Sequence, residues 1–208
     1  MIDLDKISYQ DFVAKLAKSG ELMDKEISDK ELELLTRVFL IKSECNNLGD
    51  IAFFELDEDR ILRKDRIRII HMAIGMCGES GELINPIKNI IIYRKPVGSL
   101  SDKDSIAYNV LEEIGDLMFY HTEYNNCMIE FKFRVNSVLI SKIESFLSLW
   151  NQMYPSERIS IEMAIDFNKQ KLSKRYKDLE YTDKKAVERA DKVISFSNPT
   201  QETNQLDQ

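Results

Sequence analysis

Five carboxylates stand in two short segments of this chain, and both segments carry glycine beside the acids. "GESGEL" at 78–83 holds Glu79 and Glu82; "EEIGD" at 112–116 holds Glu112, Glu113 and Asp116. At about 100° per residue, Glu79 and Glu82 share one face of a helix, and so do Glu113 and Asp116. An acidic pair at this spacing is weak evidence alone. With 36 acids in 208 residues, chance supplies roughly six such pairs, most of them solvated helix faces. The stronger signal is two pairs, each beside glycine, each in a largely apolar helix, and separated by one loop. Two helices joined by a short loop pack antiparallel, which sets Glu79 and Glu82 opposite Glu113 and Asp116. Four carboxylates so placed repel unless cations lie between them. Hard oxygen donors at this density suit Mg²⁺, or Mn²⁺.

The first acidic segment lies within "HMAIGMCGESGELINPIKNIII" at 71–92. Gly75, Gly78, Glu79 and Glu82 fall within about a third of the helix circumference, with His71 on the same arc. Each glycine costs roughly 1 kcal/mol of helix stability, so their use is expected to be a cleared face for a neighbouring backbone or a ligand. Gly81 falls off this strip. Pro86 cannot donate to the Glu82 carbonyl, which predicts a kink just after the second glutamate. In the second segment, Asn109, Tyr120 and Tyr124 share the face of Glu113 and Asp116, and Gly115 sits between the acids.

The elements that must hold these residues are helices. Seven glycines and four prolines punctuate 208 residues, and alternating strand patterns are scarce, so the fold class is all-α. Ser8-x-x-Asp11 opens a short helix ending near Gly20, and Ser28-x-x-Glu31 forms a capping box for the next. A long helix spans about 59–93. Another starts at Ser101-x-x-Asp104 and carries the second acidic segment; 128–150 is its continuation or a separate helix. Residues 151–158 make a turn, 159–176 a helix, and Thr182 or Asp183 starts a last short one. The tail, 195–208, is polar and expected to be disordered. A division follows: an N-terminal helical extension at 1–57, a bundle at 58–194 with 128–159 as an insertion, and the tail.

Composition narrows the function classes. A net charge of −7 and a pI near 5.1 argue against a general nucleic-acid or bilayer surface. Cys45, Cys77 and Cys127 are odd in number and form no C-x-x-C pair, so reduced thiols are expected rather than disulfides or zinc. The acidic start has no signal-peptide pattern and no run is long enough for a membrane span. A cytoplasmic protein is expected, in a host cytoplasm if phage-encoded.

In order and helical placement, "GESGEL", "EEIGD", "NKQKLSKRY" at 168–176 and "YTDKKAVERADK" at 181–192 resemble the MazG-like family of all-α nucleoside triphosphate pyrophosphohydrolases. The likeness covers about 65–127 and 160–192. It implies hydrolysis of an NTP or dNTP to the monophosphate and pyrophosphate, with a role in nucleotide-pool control. Glu79, Glu82, Glu113 and Asp116 would bind Mg²⁺, and Glu112 or one of the ligands would activate water. Lys171 and Arg175, four apart on one face, would grip phosphate oxygens, with Lys174, Lys88 and Lys95 as further candidates. Asn168 and Tyr176 belong to the same segment. Arg189 and Lys192 would close over the nucleotide or cap the last helix. Tyr120 would hold the sugar or stack on the base, or simply pack in the core; His71 would meet the base edge or be structural. His121 and Trp150 are expected to be structural. Pro86, after Asn85, departs from the family pattern, as do the long segments 38–64 and 128–159.

The family fold is a helical bundle that pairs with other copies, so a homodimer or homotetramer is expected. The stretch Leu139, Ile143, Phe146, Leu147 and Trp150 is either core or a partner surface. Two other classes compete. One is a catalytically weak regulatory or interaction protein on the same scaffold. The other is a hydrolase of guanosine polyphosphates, for which His71 and His121 are too few as ligands.

Overall fold

The computed structural model describes residues 6–31, 63–130 and 138–188. The described residues are mostly helical and contain no strand, as an all-α chain requires. Eight helices are bounded within them: α1 (Tyr9–Leu16), α2 (Gly20–Glu26), α3 (Arg63–Glu82), α4 (Ile84–Ile91), α5 (Ile106–Glu130), α6 (Val138–Met153), α7 (Ile161–Arg175) and α8 (Asp183–Glu188). The greater part of segment 38–64 and the tail lie outside the described residues.

Short polar caps start several of these helices. Ser8 Oγ accepts from the Asp11 amide at 3.1 Å, and Ser160 Oγ accepts from the Met163 amide at 3.2 Å. The capping box at Ser28 closes in both directions, with Glu31 Oε2 taking the Ser28 amide at 2.7 Å. Thr182 caps α8 through the Lys185 amide. Such side chains satisfy amides that have no partner within the helix. One start differs from the sequence expectation. Residues 99–105 form successive turns, and Ser105, not Ser101, accepts from the Tyr108 amide at 3.1 Å to open α5. The Ser105 hydroxyl also reaches back to the Ser99 carbonyl, at 2.6 Å.

The long helix expected over 59–93 is divided at Leu83. There the backbone stays helical (φ −59°, ψ −24°) and the Leu83 amide still bonds Glu79 O at 2.9 Å. The joint is therefore a division within helical backbone rather than a loop. Pro86 falls at the third position of α4, in the first turn, where its missing N–H costs little. Its ring is buried. Helix α5 is described to Glu130 and α6 from Val138; residues 131–137, where one would continue into the other or part from it, lie outside the described residues.

Helices α3 and α5 run antiparallel. Arg68 donates to Glu123 near one end (Nε to Oε1, 2.8 Å), Gly75 lies under the Tyr120 ring at the middle, and Glu79 comes within 4.8 Å of Glu113 near the other. Glu123 is fully buried, and Arg68 also bonds Glu130 at 3.0 Å. Helix α7 packs on the other side of α5, where a Cβ on Gly115 would stand 2.8 Å from Ala164 O. Helix α1 crosses α5 and α7, burying Phe12, Val13 and Leu16 against Leu172, Tyr176 and Leu179. Helix α2 is pinned to α3 by Arg63, which bonds Asp24, Asp29 and the Ile27 carbonyl. The stretch on α6 belongs to the chain's own core: Ile143, Leu147 and Trp150 are buried with Ile114 and Leu117, and Leu139 and Phe146 pack against them. Trp150 Nε1 donates to Glu157 O at 2.8 Å.

Candidate metal centre and adjoining cleft

The antiparallel pairing of α3 with α5 gathers three of the acids. One carboxylate oxygen from each of Glu79, Glu82 and Glu113 lies within 4.8 Å of the others. Their environments differ. Glu113 is 7 % exposed, while Glu82 faces solvent. Burial first, and then the charges of Asp116, Glu82 and Glu113, push the Glu79 carboxyl up to about 8. Burial and the charges of Glu82 and Asp116 also raise Glu113. Glu79 and Glu113 thus both hold a proton more tightly than an ordinary carboxyl, as crowded carboxylates do. Asn109, one turn before Glu113, donates to its Oε1 at 3.1 Å.

Asp116 and Glu112 are placed differently. Lys171 from α7 bonds both oxygens of Asp116, at 2.5 Å for Oδ2, and reaches Glu112 Oε1 at 3.3 Å. Lys171 is 9 % exposed. Burial alone would lower its proton affinity, but Asp116 and Glu112 outweigh this and hold the ammonium above its usual range. Asn168, fully buried one turn earlier, donates to Asp116 Oδ1 at 2.7 Å. The second acidic pair is thus split. Glu113 faces the acids of α3, while Asp116 is neutralised by a built-in cation.

The glycines do two jobs. Any side chain at Gly75 would overlap the Tyr120 ring, so this glycine admits the neighbouring side chain to the face. Gly78 and Gly81 meet nothing within 4 Å, so they leave the surface beside Glu79 and Glu82 bare.

A cleft of about 350 Å³ adjoins the acids, with Glu79 and Asp116 in its wall. His71, Tyr120, Lys171, Arg175 and Tyr176 line it, as do Lys18, Phe119 and Tyr181. Burial, followed by Glu79 and Asp116, pushes the Tyr120 hydroxyl up to about 12. Burial, and then Lys18, lower the His71 imidazole, whose Nδ1 is buried without a hydrogen bond. The His71 ring meets Tyr120 edge-on at 6.2 Å. The Arg175 guanidinium lies 5.9 Å from the Tyr176 ring, and Tyr176 stacks with Tyr181. Lys88 stands apart from the cleft, exposed over Tyr93 on α4. Arg189 and Lys192 lie outside the described residues. His121 is buried beside Asn125, away from the cleft.

Sequence reasoning missed the share of the N-terminal segment. Leu16, Ala17 and Lys18 form part of the cleft wall, and Tyr9 bonds Asn168 across 159 positions of sequence. No local pattern announces such contacts. Of the cleft aromatics, the sequence offers Tyr120, by its spacing from Asp116, and Tyr176, by its place in the 168–176 segment; Phe119 and Tyr181 carry no such signal. Comparison with protein-family models, with curated proteins and with solved structures finds no match.

Proposed function

We propose that this protein is a nucleoside triphosphate pyrophosphohydrolase of the MazG-like type, dependent on Mg²⁺ or Mn²⁺. The observation that carries the proposal is a carboxylate trio that shares Glu79 with an adjoining cleft, where Asp116, cations and aromatic rings stand in the wall. That combination matches the two halves of a nucleotide: a polyanion that needs metal, and a flat base that needs stacking surface. The donor set fits a hard divalent cation, since oxygens of three carboxylates stand within 4.8 Å of one another and a cation between them would offset their repulsion. Glu79, Glu82 and Glu113 would hold the ion, while Asp116 stands beside them, bonded to Lys171 and Asn168. Bound there, the ion would offset phosphate charge and lower the pKa of a water.

The chain's own residues supply the rest. Arg175 would meet phosphate oxygens from the cleft wall, Lys18 stands in that wall with its ammonium on Glu26 Oε2 at 2.6 Å, and Lys171 holds Asp116. Tyr120, Tyr176 and Phe119 offer ring surface to the base and sugar. Water attacks the α-phosphorus, the bond to the bridging oxygen breaks, and monophosphate and pyrophosphate leave. A homodimer or homotetramer completes the proposal, supported by isoleucines on α4 that stand exposed next to Glu82.

The test is direct. The protein, with Mg²⁺ and each of a panel of NTPs and dNTPs, should release the monophosphate and pyrophosphate. Orthophosphate as the product, or no turnover with any nucleotide, would overturn the proposal. A Glu82→Gln or Glu113→Gln variant should lose activity by at least about a hundredfold, as expected for loss of a metal ligand.

A further inference from the structure

We infer that Tyr9, on the N-terminal helix, is a positioning residue of the acidic site and acts through Asn168 on Asp116. The Tyr9 hydroxyl donates to Asn168 Oδ1 at 3.0 Å, and Asn168 Nδ2 donates to Asp116 Oδ1 at 2.7 Å. Asp116 in turn holds the Lys171 ammonium. Four residues from three helices thus form one chain of hydrogen bonds ending in the cleft wall.

The chemistry of the amide explains why Tyr9 matters. An ionised carboxylate only accepts, so Asp116 draws the NH₂ end of Asn168 towards itself. The carbonyl end must then face away, at a residue with no solvent exposure. A buried carbonyl without a donor carries a desolvation penalty, and Tyr9 removes it. Burial and the nearby Asp116 charge raise the Tyr9 hydroxyl far above its usual range, so it keeps its proton. Without that hydroxyl, the amide is unpaired at one end whenever it serves Asp116 at the other. Asp116 and Lys171 then lose their fixed geometry.

The surroundings hold Tyr9 in place independently of this bond. Its ring stacks on Phe12 with centroids 6.2 Å apart. Phe12, Val13 and Leu16 anchor α1 in the core. Lys169 Nζ donates to Ile7 O at 3.2 Å, and Asn126 Nδ2 reaches Gln10 O at 3.4 Å. Tyr9→Phe therefore removes the hydroxyl and keeps the packing.

The effect on turnover rests on the proposed hydrolase activity; the hydrogen-bond relay does not. The experiment has two arms for that reason. In ¹⁵N-labelled protein, the two Asn168 Nδ2 protons should be well separated in shift and slow to exchange. Tyr9→Phe should collapse that separation towards the value of a solvated asparagine. In turnover, Tyr9→Phe should lower kcat about fivefold, the worth of one neutral hydrogen bond, with KM within about twofold. Adding Tyr9→Phe to Asn168→Ala should cost nothing more, because both act through one contact. Unchanged Asn168 resonances in Tyr9→Phe, or kcat losses that multiply in the double variant, overturn the inference. If no nucleotide is hydrolysed, the functional reading fails while the resonances still decide the relay. If Tyr9→Phe does not fold, the wild-type resonances decide it: rapidly averaged Asn168 protons overturn it.

Discussion

Glu79 and Asp116 both face the cleft, yet one is crowded by acids and the other is paired with an ammonium. That contrast gives each its own test. Glu79 has a folded-state proton affinity above its ordinary value, reaching about 8. From its ordinary value upwards, the unfolded chain releases this proton and the folded chain keeps it. The contribution of Glu79 to stability is therefore complete at low pH and is lost as pH rises through the folded value. We expect the Tm of metal-free protein to fall between about pH 5 and pH 8 through this group. Millimolar Mg²⁺ or Mn²⁺ should raise Tm more at the upper end than at the lower, because the ion replaces the proton. Thermal melts across that range, with Glu79→Gln as control, check this; an equal rise at both ends would refute it. Asp116 makes the opposite case. Lys171→Met removes the cation that neutralises it and adds one uncompensated charge beside the trio. Divalent-ion binding, read by calorimetry, should tighten about threefold or more, while nucleotide turnover falls at least about tenfold. Parallel losses in both would mean that Lys171 only supports the fold.

At the scale of elements, most of what places the acids could be read from local pattern. The caps at Ser8 and Ser28 follow from short polar side chains ahead of helical periodicity, whereas Ser160 caps a helix expected to begin at 159. The division of the helix at Leu83 is legible from Pro86, because a proline is tolerated in the first turn of a helix and not in its interior. The choice of Ser105 over Ser101 could not be read, since both sit before the same apolar run and only the turn at 99–105 decides between them. The split of Glu113 from Asp116 was equally hidden. Spacing put both on one face, but the registry of α7, which delivers Lys171 and Asn168 to Asp116 alone, is a tertiary fact. Gly115 sets that registry. A methyl there would meet Ala164 O at 2.8 Å and Asn168 Cβ at 3.1 Å. Backbone cannot yield as a side chain can, so Gly115→Ala should cost about 1–3 kcal/mol of stability, the usual range for overpacking. Denaturant titration measures that cost. The same displacement moves Asn168, so turnover at temperatures where the variant is folded should fall as well. A variant as stable as the wild type would show that α7 does not press on α5 here.

The described residues form three regions of core and leave an apolar row uncovered beside the acids. Among the described residues, no helix is long and apolar enough to cross a membrane, so that row is not accounted for by a spanning segment. The row lies on α4 and just beyond it. Ile84 is 64 % exposed, Ile91 49 %, Ile92 64 % and Tyr93 56 %. Ile84 and Ile91 are seven apart and share a face, whereas the isoleucines of α3 at 67, 69 and 70 are buried. The α6 stretch that offered an alternative partner surface is already consumed by the core. Proposed self-association therefore falls to α4, which begins one residue after Glu82, so a second copy seated there would also wall the exposed side of the acidic trio. A chain of net charge −7 gains nothing electrostatically from pairing with itself, which leaves apolar burial as the driving force. Ile84→Glu with Ile91→Glu should then shift sedimentation from a dimer or larger species to a monomer. Far-UV dichroism should stay unchanged, since neither side chain is buried in the fold. Nucleotide turnover should fall with the shift if the second copy shields the site. A wild-type chain that sediments as a monomer at all accessible concentrations would remove the oligomer and leave the cleft within one chain as the whole site.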